Sequence, residues 1–202
     1  HRGPVLIVAP TSLLKNWEAE VSKHLDASSL GVLIKAYGSF LKGLKREGSK
    51  GTDIKDGTEK LNFDEINSAI KKGNGHEFWV LTTYRTLANY QHSFRTVNFS
   101  VVVFDEIQNI KNPASFNSHS ARSVVADFRI GLTGTPIENH VADLWAIIDS
   151  LAPGKLGALK DFVNEYREVT ENRMKSLYKT LFEKTDKYPP IAFRRMKEDV
   201  IE

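Results

Sequence analysis

Four consecutive apolar residues, followed at once by two carboxylates, constrain this chain more than any other segment. Residues 101–104 read Val-Val-Val-Phe, and Asp105 and Glu106 come next. An uninterrupted apolar run of this length is typical of a strand that is buried on both faces of a parallel sheet. Ligands of open α/β sheets bind beyond the carboxyl ends of the strands, so the two carboxylates fall where a ligand would bind.

Adjacent carboxylates at such a strand end have two interpretations. One carboxylate can hold a magnesium ion, directly or through water, while its neighbour orients or deprotonates an attacking water. The alternative is a solvated acidic strand end without a chemical role. The motif alone leaves both open.

A second segment has the pattern of a strand, a tight turn and a helix start over residues 129–139. Gly134 permits a close backbone approach or a positive φ angle. Thr135 can cap the next helix, with Pro136 at its first position and Glu138 placed as in a capping box. Taken alone, this segment needs no explanation beyond a well-formed strand-to-helix turn.

Two further strands end in hydroxyl residues that open a helix. The apolar run 5–9 ends at Pro10, and Thr11 and Ser12 begin a helix with apolar residues at helical spacing. Residues 78–84 repeat this design, with Thr82 and Thr83 at the strand end. The N–H groups and partial positive charge of a helix N-terminus suit phosphate, although each hydroxyl also serves as a simple helix cap.

Taken in order, these segments resemble the motifs of the Swi/Snf-type helicase-like ATPases, within helicase superfamily two. Residues 5–21 are similar to motif Ia, 81–84 to motif Ib, 105–108 to motif II in its D-E-x-Q form, and 132–139 to motif III. The run 193–200 resembles the arginine-pair segment that closes the family's first lobe. The ordered set is far more specific than any single motif.

The resemblance implies catalytic roles for three residues of motif II. Asp105 would bind the magnesium of Mg-ATP, through water in our interpretation. Glu106 would position or activate the hydrolytic water, and Gln108 would link the γ-phosphate region to neighbouring motifs.

The resemblance also implies coupling and nucleic-acid roles. Coupling of hydrolysis to movement would fall to Thr133, Gly134 and Thr135. Contacts with the DNA backbone would be made by Pro10, Thr11, Ser12, Thr82 and Thr83. For Arg194 and Arg195 three roles stay open: a carboxylate network, the interface between lobes, or DNA.

The family's phosphoryl-transfer chemistry also needs a glycine-rich loop with a lysine before motif Ia. The chain begins at His1 without such a loop, and residues 43–52 lack its spacing and its preceding strand. We therefore expect the chain to be part of a longer enzyme that supplies this loop and a second lobe.

The alternation of strand and helix patterns predicts an α/β fold with a parallel sheet. The resemblance specifies a RecA-like, P-loop NTPase type of three-layer sheet with a C-terminal helical protrusion. We expect a RecA-like lobe over 1–154, the protrusion over 155–190, and a segment leading to the second lobe over 191–202. The predicted strands are 5–9, 31–37, 78–82, 100–105 and 129–133, and the predicted helices are 12–25, 62–72, 85–90, 117–128, 139–151 and one or two within 159–182.

Residues 38–60 are polar and glycine-rich, which predicts mainly an exposed loop with a β-excursion around 52–60. Four of its basic residues, which are Lys42, Lys45, Arg46 and Lys50, either touch a nucleic-acid backbone or form a solvated surface.

Composition excludes some classes of protein. A chain of 202 residues, 41% of them hydrophobic, can bury a substantial core. It has no cysteine, so a disulfide framework and a thiolate metal site are excluded. No apolar stretch approaches the roughly 20 residues that span a bilayer. The net charge of +3 is weak support for nucleic acid, because the clustering of charge matters more than the total.

Together these observations predict part of an ATP-dependent double-stranded-DNA translocase, similar to chromatin remodellers. It would bind the DNA backbone without reading sequence, act on a protein partner on the DNA, and have no membrane association. Two alternatives stay open: an RNA or DNA helicase of the same superfamily, or a non-catalytic nucleic-acid interaction module. The expected location is the cytoplasm, with the nucleoid, in a prokaryote or the nucleus in a eukaryote.

Overall fold

Five parallel strands form the sheet predicted from the apolar runs. The structure, a computed structural model, describes residues 3–26, 31–134, 141–168, 170–184 and 189–193. The strands are β1 (Val5–Val8), β2 (Val32–Ala36), β3 (Phe78–Thr82), β4 (Phe99–Phe104) and β5 (Ala126–Gly131). Their order across the sheet is β2-β3-β1-β4-β5, and every neighbouring pair is parallel. The predicted α/β class with a parallel sheet is confirmed.

Helices connect the strands, as parallel pairing requires. The α-helices of this part of the chain are α1 (Leu14–His24), α2 (Leu41–Leu44), α3 (Asp64–Lys72), α4 (Tyr84–Asn89), α5 (Gln91–Arg95), α6 (Phe116–Ser123) and α7 (Val141–Leu151). Short 3₁₀ turns occupy Thr11–Leu13, Gly38–Phe40, Asp53–Lys55, Gly75–Glu77 and Ile107–Ile110.

The sheet has apolar clusters on both faces, which gives three layers. The larger cluster joins strand residues such as Val80 and Phe104 to α3, α4, α5, α6 and α7. The smaller cluster lies on the opposite face, where Leu14 and Trp17 of α1 pack on Ile7, Trp79 and Leu81. The central strands are therefore buried on both sides, in agreement with their uninterrupted apolar sequences.

The last predicted strand and the helix before it have different boundaries. Prediction placed a helix over 117–128 and a strand over 129–133, whereas α6 ends at Ser123 and β5 covers Ala126–Gly131. The N–H of Phe99 donates to the Val125 carbonyl oxygen, so pairing with β4 begins before Ala126. Pairing across the sheet thus overrides the helical spacing of the apolar residues.

The segment 38–60 is better ordered than its composition predicts. It contains the short helix α2, two 3₁₀ turns and an isolated bridge between Lys45 and Leu61. Asp53 is fully buried within it. The Asp53 carboxylate accepts hydrogen bonds from the N–H groups of Lys60 (2.8 Å) and Ser93 (2.6 Å). This carboxylate attaches the segment to α5. Most residues of the segment are exposed, as predicted, but residues 52–60 contain the 3₁₀ turn Asp53–Lys55 and no strand, so the β-excursion expected there was wrong.

Residues His1–Leu156 and Gly157–Glu202 form two separate compact units. The second contains α8 (Leu159–Glu165) and α9 (Glu171–Phe182), and its described residues include no strand. Leu177 and Leu181 of α9 are buried, and the N–H groups of Ile191 and Ala192 donate to the Leu181 carbonyl oxygen. None of the helices within the described ranges of either unit combines the length and the apolar character that crossing a membrane requires.

Asp53→Ala should lower the free energy of unfolding of this chain by about 1–3 kcal/mol, because the buried N–H of Ser93 loses its acceptor, while the N–H of Lys60 keeps the Ser93 hydroxyl oxygen. Urea denaturation measures this change. Asp56→Ala is the matched control, because Asp56 lies on the same segment but bonds Lys60 at the surface, and it should have a much smaller effect. Equal losses for the two variants would contradict the anchoring role of Asp53.

Candidate functional site

The carboxyl ends of the five strands lie side by side. The pairing registers place Ala36, Thr82, Val8, Phe104 and Gly131 in one row across the sheet. The segments singled out from the sequence all follow directly from this row. The geometry of a parallel sheet therefore brings together motifs that are more than a hundred residues apart in the chain.

Asp105 is the first residue beyond the end of β4. Its N–H donates to the Val8 carbonyl oxygen (2.9 Å), which extends the pairing with β1 by one residue. Its side chain is half-buried and both carboxylate oxygens accept a hydrogen bond. The indole N–H of Trp17 donates to Oδ2 (2.8 Å), and the N–H of Glu106 donates to Oδ1 (3.0 Å). These two donors fix the rotamer of the carboxylate.

Glu106 has a left-handed backbone conformation, with φ 50° and ψ 54°. It is the single non-glycine residue with positive φ in the described ranges. Such a conformation is disfavoured for a residue with a Cβ atom and is concentrated at functional sites. It turns the chain sharply out of β4 and into the 3₁₀ turn at Ile107–Ile110.

A chain of hydrogen bonds joins motif II to motif III. The side-chain amide of Gln108 donates to Glu106 Oε2 (2.6 Å), and the hydroxyl of Thr133 donates to Gln108 Oε1 (2.8 Å). The backbone adds a parallel link, since the N–H of Ile107 donates to the Leu132 carbonyl oxygen (2.9 Å). The structure thus brings Glu106, Gln108 and Thr133 together. A movement of Thr133 would change the hydrogen bonds that hold the Glu106 side chain.

Gly131 is the glycine that close packing requires at this point. A Cβ atom at Gly131 would lie 2.4 Å from Ile107 Cδ1 and 2.9 Å from Leu151 Cδ1. For Gly134, by contrast, φ is not positive and no other described atom lies within 4 Å of the equivalent position. The two reasons offered from sequence for a glycine at 134 therefore find no support in this geometry. At Gly131 the φ angle is not positive either, and the reason for a glycine there is the close approach of the Ile107 and Leu151 side chains.

The residues predicted to meet DNA differ in exposure. Thr11 and Ser12 are exposed at the turn that leads into α1, and Pro10 is half-buried. Thr82 is fully buried, and its hydroxyl donates to the Ala36 carbonyl oxygen (2.7 Å). The Thr82 hydroxyl therefore closes the β2–β3 pairing, and a contact between Thr82 and DNA stays a prediction.

Thr83 has a defined local role as the cap of α4. Its Oγ1 accepts from the N–H of Thr86 (3.1 Å) and its side chain is 9% exposed. Roles were also predicted for Thr135, Arg194 and Arg195, but these residues lie outside the described ranges.

Two aromatic residues of this site were not recognised as functional from the sequence. In the sequence, Trp17 is one of the apolar residues at helical spacing after Ser12, and Tyr84 is the last residue of the segment that is similar to motif Ib. The Tyr84 hydroxyl donates to the Asp105 carbonyl oxygen (2.7 Å). Burial, and then the negative charges of Asp105 and Glu106, raise the pKa of Tyr84, so its hydroxyl stays a donor. A polar atom on an otherwise apolar stripe was the available signal.

The donor atoms at this strand end suit a hard divalent cation. Each carboxylate oxygen of Asp105 accepts one hydrogen bond and keeps lone-pair capacity for a metal or its water ligands. Carboxylates with one or two protein contacts and several retained waters are the usual setting of Mg²⁺.

Comparisons with known proteins agree with this geometry. The family profile described as the SNF2-related domain matches residues 1–202. The Zorya protein ZorD of Escherichia coli O139:H28 is 38% identical over an alignment of 205 positions, which covers 98% of this chain and 18% of that protein. The DNA excision repair protein CSB of rice, Oryza sativa subsp. japonica, is 27% identical over 98% of this chain and 18% of its own length.

A solved structure shows the same relationship. The Sulfolobus solfataricus SWI2/SNF2 ATPase core in complex with dsDNA is 29% identical to this chain and has a TM-score of 0.63. The similarity covers 89% of this chain and 32% of that one.

The parallel sheet and its flanking helices define a RecA-like α/β fold, as predicted. The chain belongs to the SNF2 family, and it spans about a fifth of the length of the curated relatives named above.

Gly131→Ala should lower the free energy of unfolding by about 1–3 kcal/mol, because the new methyl group overpacks against Ile107. Adding Ile107→Val removes the nearer of the two clashing Cδ1 atoms, while that of Leu151 remains, so the double variant should lose less stability than the sum of the single variants. Gly134→Ala is the control and should have little effect. Strictly additive losses in urea denaturation would contradict the close packing of motifs II and III at Gly131.

Proposed function

We propose that this chain is part of the first RecA-like lobe of an ATP-dependent double-stranded-DNA translocase. The observation that carries the proposal is the hydrogen-bonded series Thr133–Gln108–Glu106 beside the fixed carboxylate of Asp105. A series that joins two strand ends can relate the state of a bound nucleotide to the position of neighbouring segments. SNF2-family membership and the likeness to a solved core in complex with dsDNA support the assignment.

In this proposal Asp105 holds the magnesium of Mg-ATP, through water, and Glu106 orients the attacking water. Mg²⁺, when bound, would neutralise charge on the phosphates. The Gln108 amide fixes Glu106 Oε2, which leaves the other carboxylate oxygen to accept a hydrogen bond from water. Thr133 in turn fixes Gln108, so the orientation of Glu106 depends on motif III. Thr133, Gly134 and Thr135 would thereby couple hydrolysis to movement.

Contacts with DNA are proposed at the starts of the two helices that follow β1 and β3. Thr11 and Ser12 are exposed there, and the backbone N–H of Thr83 can donate to a phosphate oxygen. Pro10 has no N–H, so it would meet the DNA backbone through its ring. Such contacts position a protein on the duplex without reading its bases. Residues 155–190 would form the helical protrusion, and Arg194 and Arg195 would lie in the segment that leads to the second lobe.

The phosphate loop is proposed to come from outside this chain and to pack beside β5. Phe128 is 61% exposed and Leu132 is 41% exposed, although Phe128 belongs to the edge strand β5 and Leu132 directly follows that strand. Phe128 pairs with Val101 and lies on the same face as Ile130 and Leu132. Parallel sheets are normally covered on both faces, so this apolar surface fits a further strand, loop and helix that complete the nucleotide site.

Glu106→Gln in the full-length protein should reduce DNA-stimulated ATP hydrolysis by about 100-fold or more, because an amide cannot activate water. Nucleotide binding should be largely retained, since the Gln side-chain oxygen can still accept from Gln108. Phosphate release and analogue binding measure the two effects. Glu77→Gln is the control, because Glu77 is exposed before β3, at the opposite end of the sheet. Surviving hydrolysis in the Glu106 variant would show that the water chemistry is assigned wrongly.

The isolated chain should hydrolyse ATP slowly or not at all, because the phosphate loop and second lobe contribute groups that it does not hold. Steady-state phosphate release from the 202-residue chain, compared with the full-length protein, tests this. Equal turnover would contradict the proposed division of the site. Strand-displacement assays on the full-length protein separate a translocase from a strand-separating helicase, which is the nearest rival.

A further inference from the structure

Three residues from separate segments meet at Asp105. The indole N–H of Trp17, on α1, donates to the Asp105 carboxylate at 2.8 Å. The hydroxyl of Tyr84, the first residue of α4, donates to the Asp105 carbonyl oxygen at 2.7 Å. Val8 of β1 accepts from the Asp105 N–H. The carboxylate, the carbonyl and the amide of one residue are thus each held by a different element.

Trp17 and Tyr84, the two aromatic donors, follow within a few residues of the helix starts that are proposed to meet DNA. Thr11 and Ser12 belong to the 3₁₀ turn that continues directly into α1, which carries Trp17 in its first turns. Thr83 caps α4 and is adjacent to Tyr84. A helix transmits displacement of its end along its axis, so a shift at either helix start would move a donor to Asp105.

The Trp17 ring is well placed to transmit such a shift. It is half-buried and packs in the apolar cluster under α1, with Leu14, Trp79 and Leu81. Dense packing restricts the ring to motions of α1 itself. The ring therefore reports the position of the helix to the carboxylate through one hydrogen bond.

Tyr84 holds the same residue from the other side of the sheet. It is 5% exposed and its ring stacks on Phe104, the last residue of β4, with ring centroids 6.4 Å apart. Its hydroxyl and ring thus contact both the end of β4 and the residue that follows it. The two helices that begin at the proposed DNA contacts therefore reach Asp105 from opposite faces.

We propose that Trp17 is a positioning residue that links the DNA-contacting start of α1 to the carboxylate of Asp105, with Tyr84 making the corresponding link from α4. This inference rests on the proposed function, since it needs Asp105 to hold the metal of Mg-ATP. DNA bound at Thr11 and Ser12 would hold α1 in the position seen here, in which the Trp17 N–H fixes the Asp105 carboxylate for metal binding. Stimulation of hydrolysis by DNA follows from this order of events.

The test uses Trp17→Phe in the full-length protein, which removes the N–H donor and keeps an aromatic ring. Loss of a hydrogen bond to a metal-ligating carboxylate should raise the Mg²⁺ concentration for half-maximal binding of a non-hydrolysable ATP analogue about tenfold. DNA stimulation of hydrolysis should fall by a similar factor of about ten. Affinity for duplex DNA without nucleotide should change little, because Trp17 itself does not contact the backbone.

Trp79→Phe is the matched control. Trp79 packs in the same cluster and loses the same atoms, but it has no contact with Asp105 among the hydrogen bonds of the described residues. Its Mg²⁺ dependence and DNA stimulation should match the unsubstituted protein, and its melting temperature shows what the loss of indole volume alone does. Tyr84→Phe, which keeps the ring and removes the hydroxyl, is the second variant and should also lower DNA stimulation.

The outcomes separate this inference from the proposed function. If Trp17→Phe and Tyr84→Phe both behave as Trp79→Phe does in Mg²⁺ dependence and DNA stimulation, the positioning role is overturned while the proposed function stands. If the unsubstituted protein shows no DNA-stimulated hydrolysis, the proposed function falls and the inference falls with it. A Trp17 variant that needs a higher Mg²⁺ concentration for half-maximal analogue binding, but has normal affinity for duplex DNA, supports the inference.

Discussion

The parallel register of β1, β4 and β5 is the constraint on which the rest of the site depends. It continues beyond the strands, because the Asp105 N–H donates to Val8 and the Ile107 N–H donates to Leu132. Motif II is therefore attached by backbone hydrogen bonds to both neighbouring strand ends. Side chains on such a scaffold are positioned more accurately than side chains on a free loop. The left-handed conformation of Glu106 persists because the attachments on both sides determine it.

Local sequence was sufficient to locate the central strands and most helices. The runs that became β1, β3 and β4 are apolar enough to be recognised individually, and the order of motifs identified the sheet type. The β5 boundary failed because Val124, Val125 and Phe128 continue the helical spacing of α6, and only pairing with Phe99 shows where the helix must end. The burial of Asp53 depends on Ser93, forty residues further along the chain, so no local pattern could reveal it.

The residues of the candidate site were predictable where the order of motifs identifies them. They were not predictable where one side chain is both an apolar ring and a hydrogen-bond donor. Motif order was enough to predict that Asp105, Glu106, Gln108 and Thr133 share one end of the sheet. Trp17 and Tyr84 have apolar rings at helical or strand-end positions, and their single polar atoms meet Asp105 only after the sheet has formed. Thr82 shows the same limit, since its sequence position does not reveal that its strand-end hydroxyl donates to the Ala36 carbonyl oxygen.

We propose that Asp105 and Glu106, at the end of β4, bind a metal-bound triphosphate and orient the attacking water. The most direct measurement is an experimental structure of the full-length protein with Mg²⁺, a non-hydrolysable ATP analogue and duplex DNA. The account predicts the metal beside the Asp105 carboxylate, the γ-phosphate and its water beside Glu106, and the Trp17–Asp105 hydrogen bond intact. A nucleotide bound away from the Asp105–Thr133 end of the sheet would contradict it.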